Sequence, residues 1–244
     1  MPKAANNYYN KIAKIYDLMY TKETGYNHKN QVDWVDNWRK KTHRSKTVLD
    51  LACGTGIHLE YFKKLGYKIQ GIDASQKMLN VAKKRLGAVS LKKDFFETFN
   101  LKKKPDIITC YFNGMSYNTD LRKLKSTFKN IYKSLPDKGI FIFDVFCIEK
   151  SKKIFAIKKF ENKKIKISRT IIGLPTNKGF KSTMYYIIFD GKKSDILSET
   201  SLRGTFSKKQ ILNTLSSSNF KVLYCGKGYA PEYTVFIAQK QLLN

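Results

Sequence analysis

The feature that most constrains this chain is a short apolar segment followed by two closely spaced glycines. Residues 47–52 have the pattern of a buried strand, and Gly54 and Gly56 place a tight turn directly after it. A helical pattern then begins at Ile57 and ends at Gly66. A buried strand, a glycine turn and a helix in this order are typical of an open α/β sheet, whose ligands bind beyond the carboxyl ends of the strands.

The strand-then-helix unit repeats along the chain as far as residue 146. Alternation of this kind predicts a seven-stranded, mostly parallel sheet with helices on both faces. The predicted elements of this part are strands over 67–72, 88–91, 105–112 and 140–146, and helices over 75–85 and 121–135. A helix over 208–215 and strands over 220–225 and 233–239 complete the sheet.

Two further regions surround this core. Residues 1–46 are helical in pattern and rich in aromatic side chains, and we expect this segment to form a helical cap on the core. Residues 151–206 show three strand-like segments (164–172, 180–190 and 195–206) with a turn signal at Asp190-Gly191, so we predict an inserted antiparallel sheet. The core domain then comprises residues 47–150 and 207–244. The insertion serves as a lid, a wall of the acceptor pocket, the contact between two subunits of a homodimer, or a stabilising flap.

The formal charge of +28 does not by itself indicate nucleic-acid binding. Only six of the 47 basic residues are arginine, and the lysines are scattered along the chain. Bidentate recognition of phosphates and bases favours arginine, so we interpret the excess as compositional and leave an anionic substrate open. No apolar run approaches the ~18 residues of a membrane span. We expect a cytoplasmic protein with four reduced cysteines and no metal site.

Acidic residues stand at or after the ends of the first three predicted strands. Asp50 precedes Gly54 by four residues, and Asp73 follows Gly54 by 19, the spacing of a carboxylate that accepts hydrogen bonds from ribose hydroxyls. Asp94 follows the third strand, where an acid can accept from an adenine amino group. Taken singly, Asp73 can instead cap the next helix, and Asp94 can be a solvated loop acid.

These features together resemble the class I S-adenosylmethionine-dependent methyltransferases, which have a Rossmann-like fold. Residues 50–56 resemble the glycine motif of the family, Asp73 the ribose-binding acid and Asp94 the adenine acid, over about residues 45–146. The resemblance implies S-adenosyl-L-methionine as the cofactor. It implies cofactor contacts for Tyr16, Tyr20, Asp50, Ala52, Gly54, Gly56, Asp73, Ala74, Met78, Asp94, Phe95 and Tyr111.

A narrower resemblance extends over nearly the whole chain. Residues 16–20, residues 52–59 and the late β insertion are similar to small N-methyltransferases that act on amino sugars of nucleotide-sugar pathways, and to related bacterial methyltransferases of unassigned substrate. In that group N-terminal tyrosines close over cofactor and substrate. The resemblance therefore implies a catalytic role for Tyr20, with Tyr16 as the second choice, and helix packing is the alternative for both.

The acceptor side of the site is indicated by residues 111–117, the loop after the fourth strand. This loop lacks the Asn/Asp-Pro-Pro-Tyr signature of methyltransferases that act on nucleic-acid bases or glutamine, and it contains no histidine. We predict that Asn113 and Tyr117 orient the acceptor, with Tyr117 as a second catalytic candidate, unless both are ordinary loop residues. Arg203 is a candidate for an acceptor phosphate or carboxylate, or a surface residue. No strong base is evident, which favours an amine acceptor such as an amino sugar.

Three alternatives remain open at this stage. An RNA methyltransferase is favoured only by the charge. A nicotinamide-dependent oxidoreductase is disfavoured because Leu59 stands where the dinucleotide fingerprint needs a third Gly or Ala. Asp50 before the glycine turn also argues against it, because a carboxylate there suits a positively charged ligand better than a pyrophosphate. A non-enzymatic nucleic-acid-binding protein on the same fold would need no intact cofactor pocket. The acceptor that we favour is a small polar molecule.

Overall fold

A seven-stranded sheet forms the centre of the protein, as predicted. The computed structural model describes residues 9–20, 25, 27–147, 153–177, 179–229 and 233–242. The predicted domain limits at residues 1, 150, 151 and 244 lie outside these ranges. No helix in the described part of the chain combines the length and the apolar character that crossing a membrane requires.

The helices and strands follow the predicted order, with ends that differ by a residue or two in the core domain. The helices are α1 (Tyr16–Met19), α2 (His28–Lys41), α3 (Ile57–Lys64), α4 (Gln76–Leu86), α5 (Leu121–Ser134) and α6 (Lys208–Ser216), and Gly114–Tyr117 is a 3₁₀ helix. The strands of the main sheet are β1 (Thr47–Leu51), β2 (Lys68–Asp73), β3 (Ser90–Lys93), β4 (Ile107–Cys110), β5 (Ile140–Val145), β10 (Phe220–Gly226) and β11 (Thr234–Lys240). The strands of the second sheet are β6 (Ile154–Glu161), β7 (Lys166–Thr176), β8 (Gly179–Phe189) and β9 (Ser194–Arg203).

The strand order of the main sheet places its binding edge near the centre. The order is β10-β11-β5-β4-β1-β2-β3, and the five strands β1 to β5 are parallel. Strand β11 runs antiparallel to both β5 and β10. Because the chain crosses from β3 to β4 on the other side of β1, the order reverses beside β1, and ligands of such sheets bind at this switch point.

The apolar strands explain why the sheet is covered on both faces. Every residue of β4 and β5 is buried, as continuous apolar runs in parallel sheets require. Phe141 and Phe143 stack with their ring centroids 4.5 Å apart, and Phe143 stacks on Phe236 at 5.1 Å. The predicted helix cap at Ser75 is present, since its hydroxyl accepts the Met78 N–H at 3.2 Å.

The inserted sheet has four antiparallel strands, so the prediction of three was wrong. The strand that the sequence did not predict is β6, which pairs with β7 along its whole length, from Ile154↔Gly173 to Glu161↔Lys166. Only Phe160 is buried in β6, and lysines 158 and 159 interrupt its apolar residues. This strand lies at the sheet edge and is held by backbone hydrogen bonds, so its side chains do not show the alternation that identifies a half-buried strand.

The first described residues lie across the carboxyl edge of the main sheet. The Asp17 carboxylate accepts from the Thr55 hydroxyl at 2.5 Å and forms an ion pair with Arg85, whose Nη1 also donates to the Thr55 carbonyl at 3.0 Å. Nearby, Asn10 Oδ1 accepts from the Ser75 hydroxyl at 2.7 Å. These contacts fix residues 9–20 against the glycine turn and the start of α4.

Candidate active site

Two adjoining cavities lie where β1, β2 and β4 end. The larger has an empty volume of about 600 Å³ and opens to solvent, and the smaller has about 230 Å³. Ala52 and Asp73 line both, so the two cavities form one elongated groove.

Most of the predicted site residues come together in this groove. The larger cavity is lined by Tyr16, Asp50, Ala52, Gly54, Asp73, Met78, Tyr111 and Tyr117 from the predicted set. The smaller cavity is lined by Ala52, Asp73, Ala74, Asp94 and Phe95. Four predicted residues do not line either cavity, namely Tyr20, Gly56, Asn113 and Arg203.

The two glycines of the turn have different surroundings. Gly54 has a φ of +55°, and a Cβ atom added to it would meet nothing within 4 Å. Its backbone therefore borders open space in the larger cavity, where a ligand can approach closely. At Gly56, with a φ of +76°, a Cβ would lie 2.9 Å from Leu86 Cδ1 and 3.1 Å from Ala82 Cβ. Gly56 thus allows α4 to pack against the turn and does not face the groove.

Asp73 joins the two parts of the groove and is held by backbone donors. Its carboxylate accepts the Gly54 N–H at 2.9 Å and the Ser75 N–H at 2.7 Å. Burial raises the pKa of Asp73 to about 6, against the opposing effect of these hydrogen bonds. The carboxylate is therefore fixed in orientation and retains acceptor capacity for hydroxyl donors of a ligand.

Asp50 is more deeply buried than Asp73, with 2% of the residue exposed. The Thr109 hydroxyl donates to its Oδ1 at 2.8 Å. Burial raises the pKa of Asp50 to about 8, and the neighbouring charges of Asp73 and Asp144 add to the effect. A cationic ligand in the larger cavity would reverse this shift, because an opposite charge favours the ionised carboxylate.

Asp94 lies beside the smaller cavity in a polar setting. Burial alone would raise the pKa of Asp94, but hydrogen bonds from Lys92, the Phe95 N–H and the Thr98 hydroxyl outweigh it and lower the pKa. The Thr98 hydroxyl donates at 2.9 Å, and Lys92 Nζ lies 2.7 Å from Oδ2. This acid is ionised near neutral pH and remains an acceptor at the rim of the cavity.

Tyrosines from the N-terminal segment cover the larger cavity. Tyr9 and Tyr16 line it, with their ring centroids 6.1 Å apart. Tyr20 stacks on Tyr16 at 4.6 Å without lining the cavity, and its hydroxyl accepts from Arg169 Nη1 at 3.0 Å. Of the two tyrosines that the sequence singled out, Tyr16 is therefore in the cavity wall and Tyr20 supports it.

Tyr117 is shared between the cavity and the inserted sheet. Its hydroxyl hydrogen-bonds to that of Tyr9, and the Arg203 guanidinium lies 3.5 Å from its ring centroid. Burial raises the pKa of Tyr117 well above its ordinary value, although Arg203 opposes this. Tyr117 is therefore a neutral donor or acceptor, and Arg203 is fixed behind it rather than free on the surface.

The loop after β4 is held in an unusual backbone conformation. Phe112 and Asn113 have φ values of 54° and 57°, in the left-handed region that non-glycine residues rarely adopt. Both backbone N–H groups donate to the Asp144 carboxylate at the end of β5, and the Tyr229 hydroxyl also donates to it at 2.9 Å. The carboxylate therefore stabilises the strained loop that forms one wall of the cavity.

Asp144 was not among the predicted site residues, although the signal was present. It ends a buried strand in the same way as Asp50 and Asp73. The side chain of Asn113 accepts the Phe146 N–H at 3.1 Å, so it stabilises the same loop. The predicted contact of Asn113 with an acceptor stays a prediction.

His58 is another cavity residue to which the sequence assigned no role. Its ring stacks on Tyr111 with centroids 3.9 Å apart, and its Nε2 lies 2.7 Å from Gln31 Oε1. Burial lowers the pKa of His58 well below 6.5, so the imidazole is neutral and a weak base. The Tyr111 hydroxyl is buried and has no hydrogen-bond partner among the described residues. A buried polar group without a partner in the protein commonly hydrogen-bonds to a ligand or a water molecule.

Part of the site lies in a segment that matches a known domain profile. The sequence profile described as a methyltransferase domain matches residues 48–139, a segment that contains β1 to β4 and the carboxylates Asp50, Asp73 and Asp94. The chain therefore contains a methyltransferase domain, and this finding confirms the predicted class of enzyme.

Individual relatives agree with this assignment. The dTDP-3-amino-3,4,6-trideoxy-α-D-glucopyranose N,N-dimethyltransferase of Streptomyces venezuelae is 29% identical over 54% of this chain and 56% of its own length. The carboxy-S-adenosyl-L-methionine synthase of Campylobacter jejuni is 27% identical over 90% of this chain and 88% of its own. The crystal structure of DesVI from Streptomyces venezuelae superposes with a TM-score of 0.85 at 21% identity, over 93% of this chain and 98% of that chain. The predicted fold is thereby confirmed.

The raised pKa of Asp50 generates a prediction about stability. The unfolded chain loses this proton near pH 4 and the folded chain near pH 8, so the contribution to stability is present at low pH and is lost as the pH rises between these values. In wild type, the free energy of unfolding should fall with rising pH by up to about 1.4 kcal/mol per pH unit because of this residue. We expect Asp50→Asn to remove that fall, measured by urea unfolding between pH 5 and pH 8. The exposed Asp195→Asn is the control, and an unchanged pH slope in Asp50→Asn would contradict the buried assignment.

Proposed function

We propose that this protein is an S-adenosylmethionine-dependent methyltransferase that methylates the amine of a small sugar. The observation that carries the proposal is the position of Asp73. Its buried carboxylate lies where the two cavities join, inside the methyltransferase domain, and it is oriented by two backbone N–H groups.

The groove suits a nucleoside that carries a cationic sulfur. Asp73 at the junction is placed to accept from ribose hydroxyls, and the smaller cavity beside Asp94 and Phe95 accommodates the adenine. The larger cavity, with Asp50 and the open backbone at Gly54, accommodates the amino acid part. The unpaired hydroxyl of Tyr111 offers one more polar contact in that cavity.

The residues of the chain act by positioning. When bound, S-adenosylmethionine supplies an electrophilic methyl group, and no further activation of that group is needed. Tyr9, Tyr16 and Tyr117 enclose the larger cavity, and burial raises the pKa of each, so they remain neutral donors that can orient an acceptor. Alignment of nucleophile and methyl group contributes up to about 7–11 kcal/mol in such reactions.

An amine acceptor suits the cavity better than a hydroxyl, because a hydroxyl needs a strong base and the described lining offers none stronger than carboxylates and a buried histidine. His58 is the histidine in the described lining, and burial keeps its pKa low. An amine needs only to lose a proton before it attacks. Three curated relatives are named as N,N-dimethyltransferases of dTDP-linked amino sugars, which supports a nucleotide-linked amino sugar here. Arg203 behind Tyr117 is then placed to meet an anionic group of that acceptor.

The three parts of the chain have separate tasks in this proposal. Residues 1–46 act as a cap, in which Tyr16 contacts the cofactor and Tyr20 supports it from behind. Residues 47–150 and 207–244 bind the cofactor, and residues 151–206 close the acceptor side. Free thiols at Cys53, Cys110 and Cys225 fit the reducing cytoplasm. An RNA acceptor is the alternative, and tight, salt-dependent RNA binding would favour it.

The outer face of the inserted sheet supports a homodimer. We define this outer face by Phe155, Ile157, Tyr185, Ile187 and Ile196, whose side chains share one side of the sheet by strand register. These residues are 71%, 57%, 45%, 52% and 74% exposed. A contiguous exposed apolar patch of this kind marks an interaction surface, and a second copy of the chain would cover it symmetrically.

Cofactor binding tests the proposal directly. Asp73→Ala removes a charged acceptor for the ribose, and each hydrogen bond to a charged group contributes about 1.5–3 kcal/mol. We therefore expect at least a tenfold loss of S-adenosylmethionine affinity by calorimetry, with the circular dichroism of the folded protein retained. The exposed Asp195→Ala is the control, and wild-type affinity in Asp73→Ala would remove Asp73 from the site.

Acceptor specificity is tested with three dTDP-linked amino sugars, the ones named for the curated relatives. We expect mass spectrometry to show addition of one or two methyl groups to at least one of them, with S-adenosylhomocysteine as the second product. Hydroxyl analogues should not react. If none of the amines gains a methyl group, the proposed acceptor class is wrong. A carboxylated form of the cofactor as the product would instead assign the activity of the Campylobacter jejuni relative.

The proposed dimer is tested by light scattering after gel filtration. We expect the wild-type chain to elute as a dimer and Ile196→Glu to elute as a monomer, because a charge in the outer face cannot be buried without a partner. The variant Leu242→Glu makes a comparable change at an exposed apolar residue outside the inserted sheet and should leave the dimer intact. A monomeric wild type at micromolar concentration would contradict this part of the proposal.

A further inference from the structure

Glu199 is a buried carboxylate in the inserted sheet that forms no hydrogen bond or ion pair with the described residues. It lies in β9, with 6% of the residue exposed. Neither of its carboxylate oxygens has a hydrogen-bond partner among the described residues. No described lysine, arginine or histidine nitrogen lies within 4.0 Å of these oxygens. The mechanism above does not use this residue.

The strand register places Glu199 on the face of the sheet that is turned toward the active site. Residues two apart on a strand share a face, so Glu199 and Arg203 point the same way. Arg203 lies on the ring of Tyr117, which lines the larger cavity. The charge of Glu199 also contributes to raising the pKa of Tyr9 and of Tyr117, the hydrogen-bonded pair in the cavity wall. Met184, the cross-strand partner of Glu199, packs on the same apolar cluster as Tyr9 and Tyr16, so Glu199 lies near the tyrosines of the cavity wall.

An unpaired buried carboxylate is costly for a folded protein. This chain has 47 basic residues, so many side chains could in principle pair with Glu199. The carboxylate nevertheless forms no ion pair within 4.0 Å with a described residue, and Arg203 acts on it only from a longer distance. A positively charged ligand could therefore still pair with it. A metal ion would need more ligands, and the described residues contain no group of three or more His, Cys, Asp or Glu that could hold one. An anion would be repelled. A cationic donor such as an ammonium group remains.

We infer that Glu199 binds the acceptor amine in its ammonium form and accepts one proton from it before methyl transfer. This inference rests on the proposed function and names the residue that selects an amine. In the proton transfer an N–H bond breaks, its electron pair stays on nitrogen, and an O–H bond forms on Glu199. The freed pair then forms the N–C bond to the methyl carbon while the electron pair of the C–S bond goes to sulfur.

The electrostatic setting of Glu199 suits a proton acceptor. Burial raises the pKa of Glu199 to about 7, and the positive charge of Arg203 opposes this. A general base is most effective when its pKa lies near the working pH. The titratable groups that interact with it are Arg203 on the same strand, Tyr9 on the N-terminal segment and Tyr117 on the 3₁₀ helix. Of these, the two tyrosines remain neutral because burial raises their pKa.

The test compares Glu199→Gln with wild type on dTDP-3-amino-3,6-dideoxy-α-D-glucopyranose, or on whichever of the three dTDP-linked amino sugars wild type methylates. We expect kcat/KM for the amine to fall by about 100-fold or more, since general base catalysis contributes at least that much. Affinity for S-adenosylmethionine should stay within about twofold of wild type, because Glu199 lies on the acceptor side. Asp195→Asn makes the same chemical change on the same strand at an exposed position and should leave both values unchanged.

The pH profile separates proton transfer from a structural role. In wild type the ammonium must meet an ionised Glu199, so kcat/KM should rise through the pKa of Glu199 and fall through that of the amine, giving a bell shape. In Glu199→Gln the reactive form is the free amine, so kcat/KM should only rise with pH. Glu199→Asp keeps the carboxylate, so its pH profile should keep the bell shape with lower kcat/KM values.

The outcomes distinguish this inference from the proposed function. If Glu199→Gln keeps the wild-type kcat/KM and pH profile while wild type methylates the amine, Glu199 has no such role and the proposed function stands. If wild type binds S-adenosylmethionine but methylates none of the amines, the acceptor class is wrong and the inference fails with it. If Glu199→Gln unfolds, Glu199→Asp decides by the same profile, and a profile without its descending limb overturns the inference.

Discussion

The structure depends on carboxylates buried at the carboxyl edge of a parallel sheet. Asp50, Asp73 and Asp144 lie at or next to the ends of β1, β2 and β5, and each is 6% exposed or less. These ends share one edge of the sheet, where β4 separates β5 from β1. Burying three acids so close together is unfavourable, and backbone N–H groups and hydroxyls compensate only part of the cost. The remaining acceptor capacity and the raised pKa values make this edge a site for a ligand that carries hydroxyl donors and positive charge.

The surrounding segments keep that edge in order. Asp144 holds the left-handed pair Phe112 and Asn113, and this loop forms one wall of the groove. Asp17 links the N-terminal segment to the glycine turn, so the tyrosines that cover the groove are positioned by the same turn that borders the ligand. The N-terminal tyrosines, the strand ends and the loop after β4 are thus linked by a few polar contacts. These links keep the parts of the cavity aligned, and methyl transfer depends on alignment.

The sequence predicted the core fold and most of the cofactor side of the groove, because each depends on local signals. Apolar strands, glycine turns and acids at strand ends are visible in the chain itself. The sequence did not predict β6, whose exposed edge position removes the alternating pattern. It also did not single out Asp144, although this acid lies at the end of a buried strand as Asp50 and Asp73 do. Contacts between elements far apart in the chain, such as that of Tyr117 with Tyr9, were not predicted, because no local pattern carries that information.

The most direct test of the central claim is a crystal structure of the protein with S-adenosylhomocysteine. The account predicts the nucleoside along the groove, with its ribose hydroxyls on the Asp73 carboxylate and its adenine in the smaller cavity between Asp94 and Phe95. Density for the nucleoside elsewhere, or an empty groove at saturating ligand, would contradict the claim that these buried strand-end acids form the cofactor site.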